Sequence, residues 1–290
     1  MRVAATLEAL RLARQSLPAP FGLVPTMGFL HEGHLSLVRR ARAECASVGV
    51  SIFVNPTQFG PREDLAGYPR DLEQDLRLLN TGGVDLVWTP SVDEMYPSGF
   101  QTWVTVEEVS HGLEGARRPG HFRGVATVVA KLFDAFEPQR AYFGQKDAQQ
   151  VAVIQRMTKD LNFPLEIVVC PTVREADGLA MSSRNAYLNP QERQAATALY
   201  QALTAAQRAF EAGERDSDAL RGIMGEVLAG EPLAQTIYVS AADPDTLREL
   251  SGRTDRALLS LAVLIGGTTL IDNIVVGGAA ADEPARGCAG

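Results

Sequence analysis

The sequence predicts an α/β protein, with a doubly wound, Rossmann-like parallel-sheet domain followed by a smaller C-terminal α+β domain. In the first half, short apolar runs alternate with helical patterns, which is typical of a parallel sheet with crossover helices. After about residue 178, a long alanine-rich helix, a second helix and three strands follow without this alternation. The length of 290 residues also favours two unequal domains.

The elements are read from the apolar pattern in chain order. Residues 1–15 predict an amphipathic helix. Strands are predicted at 21–25, 50–56, 84–90, 141–144 and 165–171. Helices are predicted from about Leu35 and at 71–80, 124–136 and 148–161, then at 190–212 and 216–228. The last strands are TIYVS, ALLSLAVLI and TTLIDNIVV.

We expect a nucleotide- and substrate-binding domain at 1–177, a C-terminal lid domain at 178–276 and a disordered tail at 277–290. The junction is ADGLAMSSRNAYLNP, because its Gly, Asn and Pro residues signal turns. The tail lacks any periodicity.

Composition excludes several classes of protein. A net charge of −8 gives no long-range attraction for polyanions, so nucleic acid is not an expected partner. The cysteines Cys45, Cys170 and Cys288 are odd in number and lack CxxC spacing, which argues against a disulfide framework and a zinc site and fits a reducing cytoplasm. The longest apolar run, 257–265, is far shorter than the roughly 20 residues that span a bilayer. We therefore expect a cytoplasmic protein without a membrane segment or export signal.

The first candidate site is PTMGFLHEGHLSLVRRA, which follows the first strand. Gly28 allows a tight turn, and His31 and His34 share one face at the start of the next helix. Backbone N–H groups and the dipole at that end favour a phosphate, to which two imidazoles can also donate. The alternatives are two solvated histidines or a metal pair, although a catalytic zinc usually needs three ligands and only His111 and His121 remain as further imidazoles.

The second candidate site, YFGQKDAQQ, again joins a strand end to a helix. Lys146 could neutralise phosphate, and Gln150 offers both a donor and an acceptor to a hydroxylated substrate. The alternative is a solvated loop in which Asp147 caps the helix.

The third candidate site, GLAMSSRN, combines two hydroxyls with Arg184, whose planar guanidinium suits phosphate oxygens. Its position at the domain junction would let it close over a nucleotide. The alternative is a polar hinge loop.

Polar groups also follow other strands, in FVNPTQF with Asn55 and Gln58 and in LEGARRPGHFRG with Glu114, Arg118 and His121. Each has a plain alternative as a turn or a solvated loop. The sequence contains no Walker A loop, no G-x-G-x-x-G fingerprint and no G-x-S-x-G elbow, so kinase-like NTPase, dehydrogenase and serine-hydrolase functions lack their motifs.

A strand followed by HxGH, with a later MSSR loop, resembles the nucleotidyltransferase superfamily that includes class I aminoacyl-tRNA synthetases. The ordered set PTMGFLHEGH, SIFVNPTQF, YPRDLEQD, LEGARRPGHFRGV, YFGQKDAQQ, PTVREADGLAMSSRNAYL and LIDNI is more specifically similar to the pantothenate synthetase family, up to about residue 276.

This resemblance implies an ATP-dependent ligase that converts (R)-pantoate to pantoyl adenylate and pyrophosphate, and then joins it to β-alanine with release of AMP. By match to the family motifs, the catalytic residues are His34, His31, Lys146 and Arg184. The ATP-binding residues are Met27, Gly28, Phe29, Leu30, His31, Glu32, Gly33, His34, Gly144, Gln145, Lys146, Asp147, Val173, Met181, Ser182, Ser183 and Arg184. The substrate-binding residues are Gln58 and Gln150.

The resemblance further implies ATP as a substrate with Mg²⁺, no tightly bound organic cofactor, no metal-binding residue and a homodimer. The loop 58–70, rich in Gly and Pro, is expected to cover the labile adenylate. Two other functions stay open: a related transferase of AMP or CMP onto a phosphorylated substrate, and a sensor that binds nucleotide without turnover.

Overall fold

The computed structural model describes residues 1–60 and 65–278. The chain divides into two compact units, Met1–Leu188 and Asn189–Gly290. Within the described residues, none of the helices combines the length and apolar character that crossing a bilayer requires.

The first unit is built on a parallel six-stranded sheet. Its strands are β1 (Arg2–Ala4), β2 (Phe21–Thr26), β3 (Ser47–Ile52), β4 (Leu86–Trp88), β5 (Arg140–Gly144) and β6 (Glu166–Cys170). Its helices are α1 (Leu7–Gln15), α2 (Glu32–Glu44), α3 (Leu72–Thr81), α4 (Val92–Met95), α5 (Leu113–Arg117), α6 (His121–Phe136) and α7 (Ala148–Asp160). The α/β class and the doubly wound sheet are thereby confirmed.

The strand order β1-β4-β3-β2-β5-β6 places a reversal in the middle of the sheet. From β2 the chain builds β3 and β4 on one side, and it then returns to place β5 and β6 on the other. In open α/β sheets, ligands bind outside the carboxyl ends of the strands at such a reversal. The crevice beyond β2 and β5 is therefore where a site is expected.

The buried core fixes these two central strands. Phe21, Leu23 and Val24 of β2 are fully buried, as is Tyr142 of β5. Packing is close enough that a Cβ added to Gly49 on β3 would lie 2.5 Å from the Phe21 ring. The strand ends are thus anchored by a rigid interior.

The second unit packs helices on a three-stranded antiparallel sheet. The helices are α8 (Pro190–Ala195), α9 (Thr197–Glu211) and α10 (Ser217–Ala229), and the strands, in the order β7-β8-β9, are β7 (Ala234–Ala242), β8 (Arg256–Ile265) and β9 (Thr268–Gly277). The single helix predicted at 190–212 is interrupted only at Ala196, whose backbone stays in the helical region.

Two expectations on chain organisation are corrected. Residues 2–4 form an edge strand rather than the start of a helix, because they pair with β4. Residues 178–188, assigned to the C-terminal domain from the sequence, belong to the first unit. The Met181 N–H donates to the Val173 carbonyl at 3.0 Å, and Arg174 forms a bridge with Ala180, so this segment folds back on the chain before it. Of the predicted tail, Gly277 ends β9, and residues 279–290 lie outside the described residues.

Candidate active site

The loop between β2 and α2 has an unusual backbone. Gly28 has φ +81°, and Phe29 follows with φ +52°, a conformation that side chains rarely adopt. A Cβ added to Gly28 would lie 3.0 Å from Oδ2 of Asp75. Only glycine can therefore adopt this backbone conformation and still lie so close to the Asp75 carboxylate.

Asp75 of α3 holds this loop. The Phe29 N–H donates to its Oδ2 at 2.8 Å and the Leu30 N–H to its Oδ1 at 2.7 Å. The residue is 2% exposed, and burial raises its pKa although the two backbone bonds lower it. No sequence motif discussed above gives Asp75 a role. The one sequence feature that could have indicated it is its place one helical turn before the buried Leu79, which puts an acidic residue on the inward face of α3.

The two histidines form a capping box at the start of α2. The Gly33 N–H donates to Nδ1 of His31 at 3.1 Å, and the His31 N–H donates to Nδ1 of His34 at 3.3 Å. An Nδ1 that accepts a hydrogen bond cannot carry the proton of a neutral imidazole, so each proton lies on Nε2. Neither Nε2 has a hydrogen-bond partner among the described residues.

The environment keeps both imidazoles neutral. Burial lowers the pKa of His34 to about 3, and the neighbouring His31, whose ring centroid is 4.1 Å away, contributes to that lowering. Burial, followed by the charge of Lys146, also lowers the pKa of His31. The pair therefore presents Nε2–H donors without carrying a charge.

Backbone N–H groups contribute less to this end of α2 than the sequence suggested. Those of Phe29 and Leu30 bind Asp75, and that of His34 binds the His31 carbonyl at 2.9 Å. Those of His31 and Gly33 are held within the capping box. The imidazole Nε2–H groups are therefore donors that a phosphate could meet here in addition to any remaining backbone N–H.

The end of β5 supplies the positive charge. After Gly144, a short 3₁₀ turn at Gln145–Asp147 leads into α7. The Lys146 ammonium lies 3.6 Å from the Asp147 carboxylate. Burial raises the pKa of Asp147, but Lys146, Arg184 and His121 outweigh it and hold that pKa below its usual range. The β2 and β5 ends therefore share one electrostatic environment.

The segment Met181–Arg184 lies near the same place. A Cβ added to Gly33 would be 3.9 Å from Cβ of Met181. Ser182 caps the following 3₁₀ turn by accepting the Arg184 N–H at 3.2 Å. The Arg184 guanidinium makes no hydrogen bond or ion pair among the described residues, so it remains available to a ligand.

Gln58 lies at the end of a buried polar network beyond β3. It is 9% exposed; its amide donates to Sδ of Met27 at 3.1 Å and its Oε1 accepts from Asn55 at 3.2 Å. Asn55 also accepts from the Tyr96 hydroxyl at 2.9 Å. The carbonyl of Gln58 lies 2.7 Å from Nδ1 of His121. These contacts place Gln58 against the loop that carries the histidines.

The adjacent Gln149 and Gln150 have different environments. Gln149 is buried, donates to the Val109 and Gly112 carbonyls at 3.0 and 2.8 Å, and accepts the Glu114 N–H at 3.0 Å. The Gln150 side chain has no such partner among the described residues. Gln149 is therefore structural, while Gln150 is available for a substrate.

Glu114 is named from the sequence as one of the polar groups that follow strands, but without a role in the site. It is 6% exposed, and its Oε1 has no hydrogen-bond partner among the described residues. Burial raises its pKa against the lowering effect of Arg118, Arg184 and Arg117. No local sequence signal separates it from a solvated loop residue.

The structure thus brings together predicted site residues from the ends of β2, β3 and β5 and from the segment Met181–Arg184. The cover loop 58–70 is described only in part, since residues 61–64 lie outside the described residues. Within the described ranges, no group of three His, Cys, Asp or Glu side chains is arranged to hold a metal ion.

Comparison with known proteins agrees with this geometry. The family model described as pantoate-beta-alanine ligase matches residues 2–275. A pantothenate synthetase from Roseiflexus sp. (strain RS-1) is 65% identical over 276 residues, covering 95% of this chain and 99% of the relative. One from Herpetosiphon aurantiacus is 60% identical over 277 residues, with 95% and 100% covered.

Comparison with solved structures agrees with the family match. The pantothenate synthetase of Thermus thermophilus superimposes with a TM-score of 0.92 at 49% identity, covering 96% of this chain and all of the other. The pantoate-beta-alanine ligase of Francisella tularensis, complexed with β-γ ATP and β-alanine, gives 0.79 at 36% identity, with 95% and 97% covered. A doubly wound sheet with an HxGH loop at its reversal and a family match over nearly the whole chain lead to one conclusion: the chain belongs to the pantoate–β-alanine ligase family.

Proposed function

We propose that this enzyme condenses (R)-pantoate with β-alanine in two steps at the crevice beyond β2 and β5, consuming ATP through a pantoyl-adenylate intermediate. The observation that carries the proposal is the pair of neutral imidazoles of His31 and His34. Each has its Nδ1 occupied by a backbone N–H, which leaves an Nε2–H donor near Lys146.

In the first step, a carboxylate oxygen of pantoate attacks the α-phosphorus of ATP, and the bond to the bridging oxygen breaks to release pyrophosphate. Negative charge rises on the phosphate oxygens in the transition state. The Nε2–H groups of His34 and His31, with the cations of Lys146 and Arg184, would stabilise that charge more than the ground state. Neutral imidazoles suit this role, because stabilising the phosphate oxygens requires a hydrogen bond from Nε2–H and no proton transfer.

In the second step, the amine of β-alanine attacks the acyl carbon, the C–O bond to phosphate breaks, and AMP leaves. We propose that Gln58 and Gln150 hold pantoate throughout both steps, and that Gln58 also borders the β-alanine position. The available amide of Gln150 supports this role, since it could both donate to and accept from the pantoate hydroxyls.

ATP would be bound by the three loops that meet at the crevice. They are Met27–His34, Gly144–Asp147 and, with Val173, Met181–Arg184. Mg²⁺ is proposed to enter on the triphosphate oxygens as part of the substrate, as it commonly does with nucleotides. The Francisella relative complexed with β-γ ATP and β-alanine supports ATP and β-alanine as ligands.

We also propose a homodimer that works in the cytoplasm, without nucleic acid or membrane as partners. Two-fold dimers are the commonest assemblies of soluble enzymes. The net charge of −8 disfavours polyanions.

The decisive experiment measures AMP release from ATP with pantoate and β-alanine together, and with each omitted in turn. Release that needs both acids is expected. ATP binding without AMP release under any of these conditions would overturn the proposal in favour of a nucleotide sensor. Release that needs a phosphorylated acceptor instead would point to another transferase of the superfamily.

A further inference from the structure

We propose that Asp75 is a positioning residue of the adenylation step: its two carboxylate oxygens set the backbone of Phe29 and Leu30, and through it the tautomer and placement of the His31–His34 pair. This inference rests on the proposed function and deepens it.

The loop needs an external anchor. Phe29 has φ +52°, a left-handed conformation that is unfavourable for any residue with a side chain. Such strain persists only where the surrounding structure holds it.

Asp75 provides that anchor because only a carboxylate offers two equivalent acceptor oxygens. Two neighbouring N–H groups point at it, and each meets a separate oxygen, at 2.8 and 2.7 Å. No Lys or Arg side chain pairs with Asp75 among the described residues, so these N–H groups are its main compensation for burial. An apolar residue could occupy the inward face of α3 without the free-energy cost of burying a charge. The presence of Asp75 there therefore favours a role beyond packing.

A short chain of bonds connects Asp75 to the imidazoles. Leu30, held by Oδ1, directly precedes His31, whose own N–H donates to Nδ1 of His34. At 3.3 Å this last bond is already long, so a small shift of the loop would break it. His34 could then carry its proton on Nδ1, and its Nε2 would no longer be a donor.

The test is Asp75→Asn, which keeps the shape but replaces one oxygen with an NH₂ group that faces a backbone N–H. Loss of a charge-assisted bond predicts that kcat for pyrophosphate release from ATP and pantoate falls about tenfold or more. The ratio kcat/KM for β-alanine should stay unchanged, because it reports only the second step. The matched control is Asp71→Asn on the same helix, where Asp71 caps α3 through the Gln74 N–H at 3.0 Å and Asn caps equally well. The control should leave kcat unchanged.

A second readout does not depend on turnover. The chain has only 4 histidines, so ¹⁵N-labelled imidazoles give a simple NMR spectrum. Wild type should show His34 as the Nε2–H tautomer, and Asp75→Asn should add the Nδ1–H form. If wild type released no AMP at all, the proposed function would fail while this spectrum still tested the role of Asp75.

Two results would overturn the inference. One is Asp75→Asn with wild-type kcat and an unchanged His34 tautomer. The other is a kcat loss of the same size in Asp71→Asn. If Asp75→Asn does not fold, Phe29→Gly is added to relieve the positive φ, and the double variant should fold and show the mixed tautomers. A double variant that stays unfolded would assign Asp75 to fold stability alone.

Discussion

At the two histidines of the candidate site, the position of the proton on each ring decides which atom can donate a hydrogen bond. A backbone N–H occupies Nδ1 of both His31 and His34, and burial keeps both rings neutral. The HxGH spacing predicted that the two rings share a face, which the 4.1 Å centroid separation confirms. The tautomers could not be predicted, because they depend on which backbone N–H each ring meets.

We expect His34→Ala to lower the rate of adenylation about 10²- to 10³-fold, since it removes a donor that acts mainly in the transition state. ATP affinity should change much less. Single-turnover formation of pyrophosphate and equilibrium ATP binding measure the two effects separately. His34→Gln, whose amide can still donate, should retain part of the rate, and equal losses in rate and affinity would remove the proposed role.

The low pKa of His34 also predicts a dependence of stability on pH. The folded-state pKa of about 3 lies below the usual value of 6.5, so between these pH values the unfolded state binds a proton that the folded state does not. The free energy of unfolding should therefore fall as pH falls from 6.5 towards 3. Denaturant titrations should show a shallower fall in His34→Gln.

Gln149 and Gln150 are adjacent in the chain but should respond differently to substitution by alanine. Gln150→Ala should raise the KM for pantoate about tenfold, with little loss of stability, because the lost contacts are those of a substrate hydroxyl. Gln149→Ala should instead lower the melting temperature, since three bonds to the chain are lost. Steady-state kinetics and thermal denaturation of both variants test this. Interchanged effects would reverse the two assignments.

At the scale of elements, the loop between β2 and α2 could be predicted in part from the sequence. Local signals predicted that a strand runs into a helix there and that Gly28 makes the turn, and the φ of +81° agrees. They did not indicate that α3, reached much later in the chain, supplies the buried carboxylate that holds it.

Gly28→Ala should destabilise the protein by more than the roughly 1 kcal/mol that a positive φ costs, because the new methyl would press on both Asp75 and Ile52. Gly99→Ala is matched to it, since Gly99 has φ +84° with no atom within 4 Å of an added Cβ. The difference between the two free energies of unfolding measures these two contacts together. Equal losses would show that Asp75 and Ile52 move aside at little cost.

At the scale of the whole molecule, strand order decides where the chemistry lies. The two histidines follow β2 and Lys146 follows β5, and these strands are neighbours only because the chain returns to the far side of β2. The loop of Arg184 belongs with the same unit, although the expected domain boundary at residue 178 precedes it. The division after Leu188 lies inside the turn-rich junction ADGLAMSSRNAYLNP.

The proposed homodimer is tested by light scattering after gel filtration. A mass close to twice 31.2 kDa is expected. A mass of one chain across the working concentration range would contradict it.

The alternation of strands and helices, the three motifs and their place at strand ends could all be read from the sequence, because each depends on residues close together in the chain. The partner of the histidine loop, the contrast between Gln149 and Gln150, and the place of 178–188 emerged only in three dimensions. Leu30 and Asp75, for example, are 45 positions apart, and their bond forms only once the sheet brings α2 and α3 together. Periodicity records which way a side chain faces, whereas tertiary packing decides what it meets.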